Sequence, residues 1–198
     1  RENMKAVITL PPVDPKGATS LEEVLGTRES WRRFSSEPLT NDEVARIMWA
    51  AQGITRAWGG RTAPSAGALF PLEIYVVLEG GVFHYIPRNH HLLCLSGEDV
   101  REALSSAALS QAFIREAPAT VVIAVVFERV TVKYGGRGER YAMIEVGHAA
   151  QNILLQATSM GLGSVPVGAF HDERVRQVLD LPDDHRPAYL VTVGHRRK

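Results

Sequence analysis

Seven consecutive apolar residues, Val121 to Phe127, place the tightest limit on how this chain can fold. A strand with one wet face alternates apolar and polar side chains, so an unbroken run this short reads as a strand covered on both faces. The chain has 198 residues, 45% of them apolar, which suffices for one domain with a sizeable core. Seven residues also fall far short of the roughly 20 that a membrane-spanning helix requires. The stretch Ala6 to Leu10 is too short for a signal-peptide core and runs into Pro11-Pro12. A cytoplasmic enzyme is therefore expected, and because the first residue is Arg1 and not Met, residues upstream are expected too.

The surrounding pattern mixes helices and strands without a regular alternation, which favours α+β over a doubly wound sheet. Residues 1–19, rich in Pro and without helical period, read as an arm on the surface or on a partner; residues 20–198 read as the folded domain. Ser20-Leu21-Glu22-Glu23 and Thr40-Asn41-Asp42-Glu43 each have the form of a capping box. After the second box, Val44, Ile47, Met48 and Ala51 share a face up to Gly53. Leu72 to Leu78 and Val82 to Ile86 predict a hairpin turning at Gly80-Gly81. Val100 to Leu109 predicts a helix. Residues 140–160 give the strongest helical period, through Val146, Ala150, Ile153, Ala157 and Met160, with Gly161 placed to end it. A short helix over Asp172 to Leu179 and a strand over Ala188 to Val193 complete the pattern.

Several chemistries are excluded by their missing parts. Equal numbers of basic and acidic residues, 22 each, argue against a nucleic-acid binder, which needs surplus cations. One cysteine, Cys94, permits neither an intrachain disulfide nor a Cys-rich zinc site. Glu145-x-x-His148 has half of a di-iron spacing without its second half, so no metal site is expected. Gly161-Leu162-Gly163-Ser164-Val165-Pro166 follows a helix and carries Pro166 where a dinucleotide fingerprint has its third Gly. Ala63-Pro64-Ser65-Ala66-Gly67 lacks the first Gly and the preceding strand of a nucleophile elbow.

What remains is a set of arginines and two small-residue loops. Arg28-Glu29-Ser30-Trp31-Arg32-Arg33 and the terminal Arg196-Arg197-Lys198 could hold a phosphate monoester through charge-assisted forks; solvated or surface-paired arginines are the plainer alternative. Residues 61–71 and 161–170 have side chains small enough for backbone N–H groups to approach a planar ligand edge, or they are ordinary loops.

Taken together and in order, Arg28-x-Ser30-x-Arg32, Ala63-Pro64-Ser65-Ala66-Gly67-Ala68-Leu69-Phe70-Pro71 and Gly161 to Phe170 resemble the nitroreductase superfamily of FMN-dependent oxidoreductases. Val82-Phe83-His84-Tyr85-Ile86-Pro87 and Lys133 to Tyr141, continuing into Glu145-x-x-His148-x-x-Gln151-Asn152, resemble its SagB-type dehydrogenase branch. The resemblance implies a central, mainly antiparallel sheet flanked by helices, a homodimer formed through the long helices, and FMN at the subunit interface. It implies phosphate and ring-edge contacts from Arg28, Ser30 and Arg32, and further phosphate contacts from Arg196 or Arg197. Pro64, Ser65, Ala66 and Gly67 would come from the other subunit, and Pro166, Val167 and Gly168 would pack near flavin N5. Ala68 and Phe70 replace the Asn and Gln that many nitroreductases carry, a substitution usual for the SagB-like branch.

In azoline-oxidising relatives a Lys-Tyr pair is associated with catalysis, and Lys133-Tyr134 matches it; a lysine ending a strand at solvent and a packed tyrosine are the alternative. The function implied is ping-pong hydride transfer through the flavin, with a small-molecule or azoline-containing substrate and NAD(P)H as a candidate donor. NAD(P)H-dependent reduction of nitroaromatics or quinones is a second reading, and a flavin-binding carrier or assembly subunit without turnover a third. Glu145 and His148, three apart on the long helix, could face each other, and a structural hydrogen bond at the dimer seam is favoured there over chemistry. Trp31, Trp49 and Trp58 are candidates for the core or for a wall over the open flavin face.

Overall fold

The apolar run does become the spine of a sheet. In the computed structural model, which describes residues 6–198, the elements follow as β1 (Val7–Thr9), α1 (Leu21–Thr27), α2 (Asn41–Gln52), β2 (Leu72–Leu78), β3 (Gly81–Ile86), β4 (His91–Ser96), α3 (Arg101–Ala107), α4 (Ala112–Glu116), β5 (Ala119–Val125), α5 (Glu128–Tyr134), α6 (Arg137–Ser159), β6 (Gly163–Val167), α7 (Asp172–Val178) and β7 (Arg186–Gly194). Seven strands pair in the order β1-β4-β3-β2-β5-β7-β6, every neighbour antiparallel.

β5 sits between β2 and β7 and is buried along its whole length. The two-residue period divides its side chains between two cores. Val121, Ile123 and Val125 pack with α2, α5 and α6 on one face. Val122 and Ala124 pack with α3, α4 and α7 on the other. This is the α+β layering expected of a strand with no polar face.

The long helix α6 begins at Arg137, three residues before its periodic stripe. Val146, Ala150, Ile153 and Ala157 are all buried. Gly161 ends it at φ +73°, where Leu162 N–H donates to Ala157 O and Gly161 N–H to Thr158 O, a Schellman closure. Thr40 and Glu43 form both bonds of a capping box at α2. At α1 only the Ser20 side chain completes its bond, to Glu23 N–H, so the first box is half formed.

β4, α4 and α5 have no counterpart in the sequence reading, and three further places differ from it. The arm adds β1 to the sheet edge beside β4, and its residues 1–5 lie outside the described residues. Residues 163–167, expected as part of a loop, form the opposite edge strand β6. Lys133 ends neither a strand nor a loop: it lies in the last turn of α5. No helix among the described residues is long and apolar enough to cross a membrane.

Candidate functional site

The outer edge of β6 is the first half of the site. Edge strands leave alternate backbone groups unpaired, and here the chain after α1 comes to meet them. Ser30 forms a parallel bridge with Ser164, and Trp31 N–H donates to Ser164 O at 2.9 Å. Because Ser164 faces away from β7, strand alternation puts Pro166 on the same open side. A residue without an N–H breaks no ladder bond there. Gly168, just past the strand, is exposed.

Arginines gather along this edge. Arg28 caps the end of α1, and its N–H donates to Val24 O. Arg32 lies over the Phe113 ring at 5.8 Å, and Phe113 belongs to α4. Gln111, just before that helix, donates to Ala169 O and so ties α4 to the segment after β6. Arg33 and Arg196 stack on Trp31 at 5.1 and 4.8 Å. Gly163 leaves room for that indole: a Cβ there would meet Trp31 at 2.6 Å. Arg196 is ion-paired with Glu29 at 2.8 Å and Arg197 with Glu116 at 3.6 Å. Arg28, Arg32 and Arg33 form no ion pair among the described residues; Arg33 is stacked on Trp31, so with Ser30 these three make up the less neutralised part of the cluster.

The Pro64 loop is the second half. Gly67 adopts φ +62°, and a Cβ there would lie 2.6 Å from Tyr134 Oη and 3.1 Å from Lys133 Nζ. Three residues that the sequence suggested separately are thus in contact: Gly67, Lys133 and Tyr134. Tyr134 is held edge-on against Tyr141, ring centroids 5.2 Å apart. Ala66 starts a single helical turn, and Ser65 Oγ accepts from Phe70 N–H at 2.9 Å, closing the loop on itself. Asn152 of α6 donates to Thr62 O at the loop's base.

One chain does not bring the two halves to one point. The loop feeds β2, and β2 lies three strand positions from β6. A cavity of about 610 Å³ opens beside Gly168, with Phe127, Met143, Phe170 and Pro187 in its wall.

Electrostatics beneath the loop distinguish two carboxylates. Glu145 is 2% exposed and leaves Oε1 without a partner. Burial pushes it up to about 7, against the opposing pull of the Ser65 hydroxyl and the Arg61 charge. Glu73 behaves oppositely. Burial alone would raise it, but hydrogen bonds from His84 and Arg129 win and hold it down at about 2. Glu145 takes up its proton more readily folded than unfolded, so its contribution favours folding at low pH and is lost as pH rises from 4.5 to about 7. That of Glu73 is present above 4.5 and is lost as pH falls toward 2. Glu145→Gln should therefore flatten the stability profile between pH 4.5 and 7 and leave the acid limb alone. Urea midpoints measured across pH check this, and parallel profiles for the two proteins would contradict it.

Some expectations fail on geometry. Glu145 turns inward to the loop while His148 is exposed, so the two do not face each other. Trp58 is 70% exposed and is no core residue. Arg61 was not singled out from the sequence, although a lone charge within the small-residue run 59–68 marks it; Phe113 and Gln111 carried no signal at all.

Comparison with known proteins agrees with this architecture. The chain is 45% identical over 195 residues to a nitroreductase-named protein of Methanocaldococcus jannaschii, covering 96% of each. It is 28% identical to an NADH dehydrogenase of Thermus thermophilus, covering 94% of this chain and 89% of that one. It is 27% identical over 144 residues to the microcin B17-processing protein McbC of Escherichia coli, covering 66% of this chain and 52% of the other. A crystal structure named for a nitroreductase from Ralstonia eutropha superposes with a TM-score of 0.89 at 30% identity, covering 100% of this chain and 93% of that one. The Nitroreductase family model matches residues 25–195, and the chain belongs to the nitroreductase family.

Proposed function

We propose that this oxidoreductase is FMN-dependent, of the SagB-type dehydrogenase kind, and works by a ping-pong mechanism. The observation that carries the reading is the meeting of Ser30 with Ser164 at the open edge of β6, flanked by Arg28 and Arg32, whose guanidiniums form no ion pair among the described residues. That donor set fits a flavin mononucleotide: forked cations for a phosphate, and an edge backbone with Pro166, Val167 and exposed Gly168 for a ring rim. Arg196 and Arg197 lend charge at longer range, each already paired to a glutamate. When bound, FMN supplies two-electron redox chemistry, alternating between two substrates.

The remaining work falls to this chain. Pro64, Ser65, Ala66 and Gly67 close the site from a second copy, because their own chain holds them three strands away. Support for a homodimer comes from the outward face of α6, where Met143 and Ile144 are 46% and 49% exposed beside Gly147. Lys133 and Tyr134, against Gly67, are placed to hold or move a proton on a substrate lying at that loop. The relative named for microcin B17 processing supports a SagB-type kind of oxidoreductase, for which an azoline-containing or other small-molecule substrate is the expectation. The Thermus relative supports the second reading, in which NAD(P)H is the donor and a nitroaromatic or quinone the acceptor.

Anaerobic addition of NADPH, then of a thiazoline, to the yellow protein separates these readings by which compound bleaches it. Bleaching by neither would favour a carrier without turnover. Lys133→Ala should slow turnover about 100-fold while flavin content stays unchanged, the scale of losing a general acid or base. Equal rates in a stopped-flow assay would remove Lys133 from the mechanism.

A further inference from the structure

Two cavities, about 480 and 390 Å³, flank a single ridge, and both are lined by Trp58, Arg61 and Phe70. Arg61 is the unusual member. Its guanidinium lies over the Phe70 ring at 4.5 Å, and Nη1 donates to Oε1 of the fully buried Gln52 at 2.7 Å. Those two contacts fix the plane of the group. Its other N–H groups find no acceptor among the described residues, and Nε is sealed from solvent without one.

No carboxylate closes an ion pair with Arg61 among the described residues. Glu73 and the buried Glu145 feel its charge without a hydrogen bond to it: Glu73 lines the larger cavity and is already held by His84 and Arg129, and Glu145 faces Ser65. Arg61 is thus a half-buried, rigidly held cation with spare donors, a state that costs desolvation unless an acceptor arrives. With Nε sealed, the edge left to a ligand is the Nη1–Nη2 end, and a guanidinium edge presents parallel N–H groups at the spacing of two carboxylate oxygens.

The rest of the ridge selects the body of the ligand. Trp58 is exposed, yet its indole packs on Gly60, where a Cβ would come within 2.5 Å. It offers a held aromatic wall. Arg56 borders the smaller cavity and Arg88 the larger, so the rim is cationic on both sides. The larger volume lies within the range of small-molecule sites, roughly 300–1,000 Å³.

We propose that this groove binds an aryl carboxylate, its carboxylate on Arg61 and its ring against Trp58. The smaller cavity is also lined by Pro64 and Ser65. A ligand held there lies beside the loop assigned above to the partner's flavin, which makes aryl carboxylates the substrate class. That last step rests on the FMN reading; the binding itself does not.

The test is calorimetric titration of the purified protein with benzoate, with benzamide as its neutral isostere and inorganic phosphate as an anion without a ring. Benzoate should bind saturably below 10 mM and at least about tenfold more tightly than either comparator. Arg61→Lys keeps the charge but loses the fork and should weaken benzoate about tenfold; Trp58→Ala, at an exposed position, should weaken it without disturbing the fold. Benzoate no tighter than benzamide or phosphate, or unchanged in both variants, would overturn the proposal. Benzoate binding to protein that never takes up FMN would leave the groove standing and remove the flavin reading. Flavin-loaded protein that does not prefer benzoate would do the reverse.

Discussion

Replacing Arg28 by Ala is expected to weaken FMN binding by roughly 10- to 100-fold, since a hydrogen bond to a charged group is worth about 1.5–3 kcal/mol. The arginine cluster is not uniform, and the difference between its members is the content of the prediction. Arg196 and Arg197 carry their own carboxylates, Glu29 and Glu116, which already offset their charge. Arg28 is half-buried at the end of α1, two residues before the Ser30 bridge, and has no carboxylate partner among the described residues. Its charge is held less solvated than that of a free surface arginine, so a phosphate there is screened less. Arg196→Ala should therefore cost less than Arg28→Ala, and it should act partly by unstacking Trp31. Fluorescence titration of flavin-free protein with FMN measures both. Equal affinity in Arg28→Ala would move the phosphate away from this edge.

The largest effect on stability is expected at Ile123. It is fully buried in β5, opposite Ile74 of β2 and Tyr189 of β7. Truncation to Ala removes three carbons where strands close both sides and α6 covers the face, so the site has little freedom to collapse. Losses at such positions are about 2–5 kcal/mol, and the upper half of that range is expected here. Val132→Ala is the contrast: at 80% exposure it should change stability by less than about 0.5 kcal/mol. Urea unfolding midpoints decide both. An Ile123→Ala protein within about 1 kcal/mol of wild type would mean that β5 is not the spine of the core.

Those two positions also show which parts of the molecule were legible in the chain. β5 was readable because burial on both faces leaves no polar residue in the run. The stripe of α6 was readable because one face in 3.6 must be apolar. β6 was not, since Gly163, Ser164 and Pro166 have poor strand character; its formation depends on pairing with β7 and on the cap from Ser30 and Trp31. Tertiary partners decided that strand. The contact of Gly67 with Lys133 and Tyr134 spans more than sixty residues and has no local signature. Glu145 shows the reverse error: its spacing to His148 suggested a pair, whereas the inward turn toward Ser65 is set by which helix face meets the loop. Arg61 was visible as a residue, but the absence of a close ion pair to it among the described residues is a property of packing.

In the proposed arrangement Arg28, Ser30, Arg32 and the edge of β6 form one half of a flavin cradle completed by a second copy's Pro64 loop. The most direct test is an absorbance spectrum of the purified protein at known oligomeric state, with the flavin counted per chain and then titrated anaerobically with NADPH. A yellow protein holding one FMN per chain, lost on dissociation to monomers, is the result the account predicts. A colourless protein that takes up no added FMN, or a monomer that holds it fully, would contradict it.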